Sequence, residues 1–347
     1  MRPLRSYHKT LFSSLALNAR TLYEFMHYYS RIEDIPKFER PIITIGSFDG
    51  LHQGHQRILK QVQSLASERN TEHVIITFDP HPRQIIYPRD HTLQLLTDLE
   101  EKKRLMEYYG VQHLAIIPFT IEFSQLNADE YVENFLIKTF NPGVIVIGYD
   151  HKFGLNRQGD INYLKWYAEK HQFEVIEIPP QEVDDIAVSS SKIRRALSIR
   201  DIPGAKNLLG HPYFLTGKVV HGNNIGQKIG FPTANIQPAN PLKLIPPDGI
   251  YAVYLHLFDE VLPAVLYIGN KPTLGHQKVT IEVHIMNFDR SIYDQEVTIE
   301  WVEFIRVDQK FDSIEAMAIQ IGKDKERAKE ILATYSSNFH LHSSTSN

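Results

Sequence analysis

Between Pro41 and Pro180 short apolar runs alternate with amphipathic stretches. The runs 42–48, 73–78, 113–119, 144–149 and 173–178 are rich in Val and Ile and too short for helices, so they predict strands. The intervening stretches 53–69, 98–109, 128–138 and 160–169 carry apolar residues at helical spacing, as in Ile58, Leu59, Val62 and Leu65. Strands alternating with helices predict a parallel sheet covered on both faces. Right-handed crossovers then bring every strand C-terminus to one edge, where ligands bind. The pattern changes near Leu197. Residues 199–210 read as a linker with a short helix. The runs 213–221, 249–257, 264–268, 280–286 and 296–304, separated by turn residues, predict a small antiparallel barrel. An amphipathic helix starts near Asp312, with Asp312 and Glu315 fitting a capping-box-like start. The expected division is an extension 1–40, an α/β domain 41–198, a linker 199–212, a barrel with a terminal helix 213–335, and a disordered tail 336–347.

The sharpest local signal is the passage from apolar Pro41–Ile45 into Gly46-Ser47-Phe48-Asp49-Gly50-Leu51-His52-Gln53-Gly54-His55. It reads as strand, tight turn and helix N-terminus. A helix start offers unpaired N–H groups and the positive end of a dipole, which suits a phosphate. Histidines three apart share one helical face and can reach the same anion, and Gly54 between them leaves room for a ligand. Two surface histidines on a loop are the bland alternative. A zinc pair is the other, although helical zinc histidines more often stand four apart.

Composition narrows the field. The 347 residues contain no cysteine, which excludes disulfides, thiolate metal sites and cysteine nucleophiles. With 37 basic and 41 acidic residues the net charge is -4, which argues against a mainly nucleic-acid partner. No apolar run approaches membrane-spanning length, so a cytoplasmic enzyme or binding protein, without nucleic-acid or membrane partners, is expected. Arg2, Arg5, Lys9 and Arg20 precede any acidic residue, which has some transit-peptide character. The reading favours an upstream extension, with Met26 as a candidate start.

Three further constellations carry chemistry. Ser189-Ser190-Ser191-Lys192-Ile193-Arg194 can open a basic helix and hold phosphates by hydroxyls, amides and an arginine fork, or can simply be a capped, solvated helix. Gly222, Gly226 and Gly230, spaced by four, make a pliable loop able to close over phosphates, or a glycine-rich hairpin. Just beyond it, Thr233 and Asn235 share one face if extended, and their oxygens suit Mg²⁺ bridging nucleotide phosphates. In the alternating run 280–286, Ile281, Val283 and Ile285 face one way, while Glu282, His284 and Met286 face the other. Glu282 is then either solvated or aimed into a site.

Taken in order, these strings resemble the prokaryotic bifunctional riboflavin kinase/FAD synthetase (FMN adenylyltransferase) family from about Ile42 to Leu332. To them belong Thr77-Phe78-Asp79-Pro80-His81-Pro82, Ile147-Gly148-Tyr149-Asp150 with Phe153-Gly154, Gly217–Gly222, Gly230–Asn235, Asn270-Lys271-Pro272-Thr273 and Glu282-Val283-His284. The resemblance implies a Rossmann-like nucleotidyltransferase domain followed by a riboflavin kinase barrel. It implies riboflavin, FMN and ATP as substrates, Mg²⁺ as the ion, and self-association that is weak if present. By position, Gly46, Phe48, Gly50, Gly54, Ser189 and Ser190 line the adenylylating ATP, and His52, His55 and Arg194 stabilise its phosphates. Asp79, Pro80, His81 and Asp150 lie at the flavin. Gly222, Gly226 and Gly230 serve the kinase phosphates, Thr233 and Asn235 the metal, and Glu282 is the base on the ribityl hydroxyl. Departures from the family pattern are Ser47 for asparagine, Ser191-Lys192 for threonine-arginine, Ile225 and Gln227 for arginines, and Arg290 and Asp294 for glycines. Three alternatives remain: an FAD synthetase with a weak kinase, a non-catalytic flavin-binding regulator, and an aminoacyl-tRNA synthetase fragment sharing the two-histidine turn.

Overall fold

The computed structural model describes residues 26–335 and Phe339, apart from 91, 150, 180, 181, 184, 185, 223–225, 227–229, 274 and 275. Its first half is a parallel sheet of β1 (His27–Tyr29), β2 (Ile42–Ile45), β3 (His73–Asp79), β4 (His113–Pro118), β5 (Val144–Gly148) and β6 (Glu174–Ile178), in the order β1-β4-β3-β2-β5-β6. The central strands are buried on both faces, which is why they read as unbroken apolar runs. One face packs on α1 (Gln53–Arg69) and α2 (Leu99–Tyr108) through Leu59, Val62, Leu105 and Met106. The other packs on the helical run 128–140 and α3 (Ile161–His171) through Phe135, Leu136, Leu164 and Tyr167. The chain proceeds from β2 outward through β3 and β4, then returns to the other side of β2 with β5. The order therefore reverses between β2 and β5, and the turn after β2 lies at this switch point.

A two-stranded ribbon, β7 (Glu182–Val183) and β8 (Ile186–Ala187), leads to α4 (Ser190–Ser198) and α5 (Ile202–Leu209). The second half is a closed antiparallel barrel of β9 (Phe214–Val220), β10 (Ala234–Pro238), β11 (Gly249–Leu257), β12 (Glu260–Thr273), β13 (His276–Ile285) and β14 (Glu296–Arg306). Terminal helix α6 (Ile314–Ala333) covers Ile250, Ala252, Val265 and Met286 on the outside of the barrel.

Four details differ from the sequence expectation. β1, inside the stretch read as an extension, pairs with β4 and extends the sheet. His-Tyr-Tyr carries no apolar alternation, so nothing in the pattern marked it. Residues 199–212 carry the expected short helix, α5, but it is packed: Ile202, Ala205 and Leu209 are buried in a cluster shared with the barrel interior. Helix α6 is capped by Ser313, whose hydroxyl accepts from Ala316 N–H at 3.1 Å, so Asp312 and Glu315 form no capping box. Phe339, inside the stretch read as a disordered tail, is buried beside Phe214 and His211. The rest of that tail and residues 1–25 lie outside the described residues.

His73 illustrates how the fold holds its titratable core. Its ring is 4 % exposed, and Nε2 accepts from the Gln112 N–H at 3.1 Å, which requires the neutral form. Burial, and secondly His113, push its pKa down to about 4. Between the unfolded value near 6.5 and that value, the unfolded chain binds a proton the native state does not. The contribution is therefore complete above about pH 6.5 and is lost as pH falls towards 4, at about 1.4 kcal/mol per pH unit. Urea denaturation of the wild type should weaken steeply from pH 6.5 to 4.5, and His73→Gln should weaken less steeply. Equal slopes would remove His73 from the account.

Candidate active site

The turn after β2 is held in an unusual backbone conformation. Phe48, Gly50 and Leu51 have φ of 47°, 82° and 41°. Only the glycine adopts this region without strain, and such strain persists where the surroundings over-determine it. His52 caps α1, with Nδ1 accepting from the His55 N–H at 3.4 Å. The two imidazoles stack with centroids 3.6 Å apart, and Phe48 meets His55 edge-on. Burial pushes the His52 pKa down to about 4 and lowers that of His55, which the neighbouring His52 charge depresses further. Both rings are therefore neutral near pH 7. The buried Nδ1 of His55 has no hydrogen-bond partner among the described residues.

Buried polar groups fix the turn from behind. Asp49 accepts from the N–H groups of Leu96 (2.9 Å) and Thr97 (3.2 Å), and pairs with Arg194. Arg194 also donates from Nε to the Gln94 carbonyl at 2.7 Å. The Gly50 N–H donates to Thr97 Oγ1 at 3.0 Å, and the Ser190 hydroxyl to the Asp49 carbonyl at 3.0 Å. Lys102, buried on α2, donates to the Ser47 carbonyl at 2.8 Å and to Thr77 Oγ1 at 3.2 Å. Burial lowers its pKa, and among the described residues no carboxylate lies within ion-pair distance of it. His81 is near enough that Asp49, Lys102 and Arg194 all bias its titration, while burial, the largest cause, pushes it down to about 4.

A second centre lies in the barrel. Asn235 on β10 pairs in register with Glu282 on β13. The Thr233 hydroxyl donates to Glu282 Oε2 at 3.3 Å. His284, on the same face of β13, donates from Nδ1 to the Pro232 carbonyl at 2.9 Å, so β13 pins the segment bearing Thr233. Gly222 and Gly226 press onto this pair: a Cβ at Gly222 would overlap the Asn235 amide, and one at Gly226 the Phe231 carbonyl. Beside Thr233 a cavity of about 370 Å³ opens, lined by apolar residues that include Val219, Val283, Ile285 and Phe288 and by polar Asp289 and Arg290. At its rim Tyr293 stacks on His221, centroids 4.0 Å apart.

Gly46, Phe48, Gly50, His52, Gly54 and His55 form one turn and helix start, with Ser190 and Arg194 tied to its back and His81 beside it. Ser189 caps α4 through the Lys192 N–H at 3.4 Å. Asp79 ends β3, next to Pro80 and His81. Thr233, Asn235 and Glu282 come together, with Gly222 and Gly226 against them; Gly230 has φ 80° in the same loop. Asp150, Ile225 and Gln227 lie outside the described residues. Among the departures, Asp294 has φ 64°, a conformation that favours glycine, and its carboxylate pairs with Lys218 at 2.9 Å. Arg290 pairs with Glu260 at 2.7 Å. Sequence reasoning did not single out Lys102, Glu101, Thr97, His211 or Lys243. For Lys102 a signal was present: it stands on the apolar face of α2, one turn before Leu105 and Met106.

A helix start with neutral paired histidines at a sheet switch point, and a hydroxyl, amide and carboxylate beneath glycines, put the chain in the class of two-domain transferases acting on nucleotide phosphates. The family model described as FAD synthetase matches residues 34–192, and the one described as riboflavin kinase matches 209–332. A bifunctional riboflavin kinase/FMN adenylyltransferase from Listeria monocytogenes is 35% identical over 293 residues, covering 84% of this chain and 92% of that one. One from Escherichia coli is 32% identical over 292 residues, covering 83% and 92%. Among solved structures, a chain described as a macrolide-efflux protein from Streptococcus pneumoniae superposes with TM-score 0.81 at 30% identity, covering 90% of this chain and 100% of that one. The chain belongs to the bifunctional riboflavin kinase/FMN adenylyltransferase family.

Proposed function

We propose that this protein converts riboflavin to FAD in two ATP-dependent steps, one in each module. The observation that carries the reading is the pairing of each matched module with its own polar centre, the turn at 47–55 in one and Thr233, Asn235 and Glu282 in the other. In the barrel, Glu282 takes the proton from the ribityl hydroxyl as its oxygen attacks the γ-phosphorus of ATP, giving FMN and ADP. In the α/β module, the FMN phosphate attacks the α-phosphorus of a second ATP, giving FAD and pyrophosphate. Transfers of this kind need in-line positioning and charge neutralisation more than a covalent nucleophile. His52 and His55 donate to ATP phosphates, and the N-terminus of α1 adds its dipole. Asp79, Pro80, His81 and Asp150 contact the flavin. The cavity beside Thr233, with Val283, Ile285 and Phe288 in its lining, can receive a flat aromatic ring.

The Thr233 hydroxyl and the Asn235 amide, with Gly222 packed directly on the amide, are hard oxygen donors that fit Mg²⁺. When bound there, the ion would neutralise charge on the kinase phosphates. The described residues contain no helix long and apolar enough to cross a membrane, and a cytoplasmic location is part of the proposal. Efflux, in the description of the streptococcal structure, is not carried over, because the two family models divide this chain between two flavin enzymes. The test is to incubate purified protein with riboflavin, ATP and Mg²⁺ and separate the flavins. FMN should appear first and FAD after it. Tight flavin binding without turnover would favour a regulator, and FAD formed only from supplied FMN would favour a weak kinase.

A further inference from the structure

The strained turn at 47–52 does not rest on the α/β module alone. Its support is the loop 94–102, whose backbone and Thr97 hydroxyl hold Asp49 and Gly50. That loop is itself bonded to the barrel half of the chain. Leu95 N–H donates to the Leu242 carbonyl at 2.7 Å, and Leu244 N–H to the Leu95 carbonyl at 2.8 Å. Between these bonds Lys243, its side chain 1 % exposed, reaches the Leu96 carbonyl at 2.6 Å and Glu101 Oε2 at 2.6 Å. Glu101, fully buried, accepts from the N–H groups of Asp98 (3.0 Å) and barrel residue Thr216 (2.8 Å). The next residue on α2 is Lys102, which holds the Ser47 carbonyl. The first turn of α2 thus faces two ways, Glu101 towards the barrel and Lys102 towards the phosphate turn. A second brace comes from beyond α5, where His211 Nε2 reaches the Gly50 carbonyl at 3.0 Å.

We propose that Lys243 and Glu101 are a positioning pair for adenylyl transfer, through which the barrel holds the turn of the other module in its reactive conformation. The proposal rests on the assignment of that turn to adenylyl transfer. Neither residue touches the reacting atoms. Both act through the 94–102 loop on Asp49, Gly50 and Ser47. A turn with three of its four residues 48–51 at positive φ relaxes when its braces loosen, and small misplacement of phosphate donors is costly in rate. FAD synthesis therefore depends on a contact that riboflavin phosphorylation does not use. The sequence alone suggests a self-sufficient N-terminal module, since both of its phosphate motifs precede Leu197. The bonds from Lys243 and His211 argue otherwise.

The test uses the full chain with Lys243→Met, Glu101→Gln/Lys243→Met and Lys243→Arg. A lone Lys243→Met leaves a buried carboxylate unpaired and lowers the melting temperature. The double variant carries no unpaired charge, and removal of a whole buried pair is often tolerated. In the double variant, assayed below its melting temperature, kcat for FMN to FAD should fall by about tenfold or more. KM for FMN and riboflavin kinase turnover should stay within about twofold. Lys243→Arg, which keeps charge and donors, should recover most of the rate. A folded double variant with wild-type FAD kcat overturns the proposal, as does equal loss of both activities. Wild-type protein that makes FMN but no FAD overturns the functional assignment of the turn instead, and the proposal with it.

Discussion

Glu282→Gln should lower riboflavin phosphorylation by roughly 10²–10⁴-fold, the usual contribution of a positioned general base. The substitution keeps the shape of the side chain and an oxygen able to accept the Thr233 hydroxyl, which now lies 3.3 Å from Oε2. It also keeps the pairing of residue 282 with Asn235 across β10 and β13. What it removes is the capacity to take a proton. Riboflavin and ATP should bind as before, and FAD synthesis from supplied FMN should be unchanged, since the turn at 47–55 is built from other elements. Thr233→Ala and Asn235→Ala should instead raise the Mg²⁺·ATP concentration needed for half-maximal rate. Undiminished kinase turnover in Glu282→Gln would falsify the base assignment and return Glu282 to a carboxylate on a barrel face.

Much of this architecture was legible because buried parallel strands and amphipathic helices write strong patterns. Gln53–Arg69 and Gly249–Leu257 appear in the structure with the bounds the pattern predicts. The paired histidines and the face shared by Glu282 and His284 were legible for the same reason: a helix start and an alternating strand fix which residues are neighbours. Two kinds of feature were not. β1 and β10 are short, and their pairing is decided by the strands they join rather than by their own residues. The buried polar contacts were hidden more deeply. Glu101 and Lys243 are 142 residues apart, and Asp49 and Arg194 are 145 apart. Glu101 and Lys243 each read singly as an ordinary surface charge, and only the packing of the barrel half against α2 removes both from water, whereas Asp49 and Arg194 both lie in the α/β half and are brought together by its own fold. The burial of the linker helix was hidden for a related reason. Ile202, Ala205 and Leu209 form an apolar stripe, but the surface that buries it comes from elsewhere in the chain.

In the proposed adenylyl transfer, burial would let two histidines serve where two stronger cations would repel each other. Burial keeps both rings neutral before substrate arrives, so the stacked pair costs no charge repulsion in the free protein. Each ring can still donate to phosphate oxygens as charge develops there. His52→Ala and His55→Ala should each cost on the order of 3 kcal/mol in the transition state, about a hundredfold in FAD formation. Riboflavin phosphorylation should stay near the wild-type rate. His52 has a second task as the cap of α1, and loss of a cap lowers stability by about 1 kcal/mol. His52→Asn separates the two roles, because asparagine is a good cap but lacks the ring. It should melt at a higher temperature than His52→Ala and yet make FAD as slowly. If His52→Asn recovers the activity together with the stability, the imidazole is a structural cap and the phosphate donors lie elsewhere in the turn, with the N–H groups of α1 next in order.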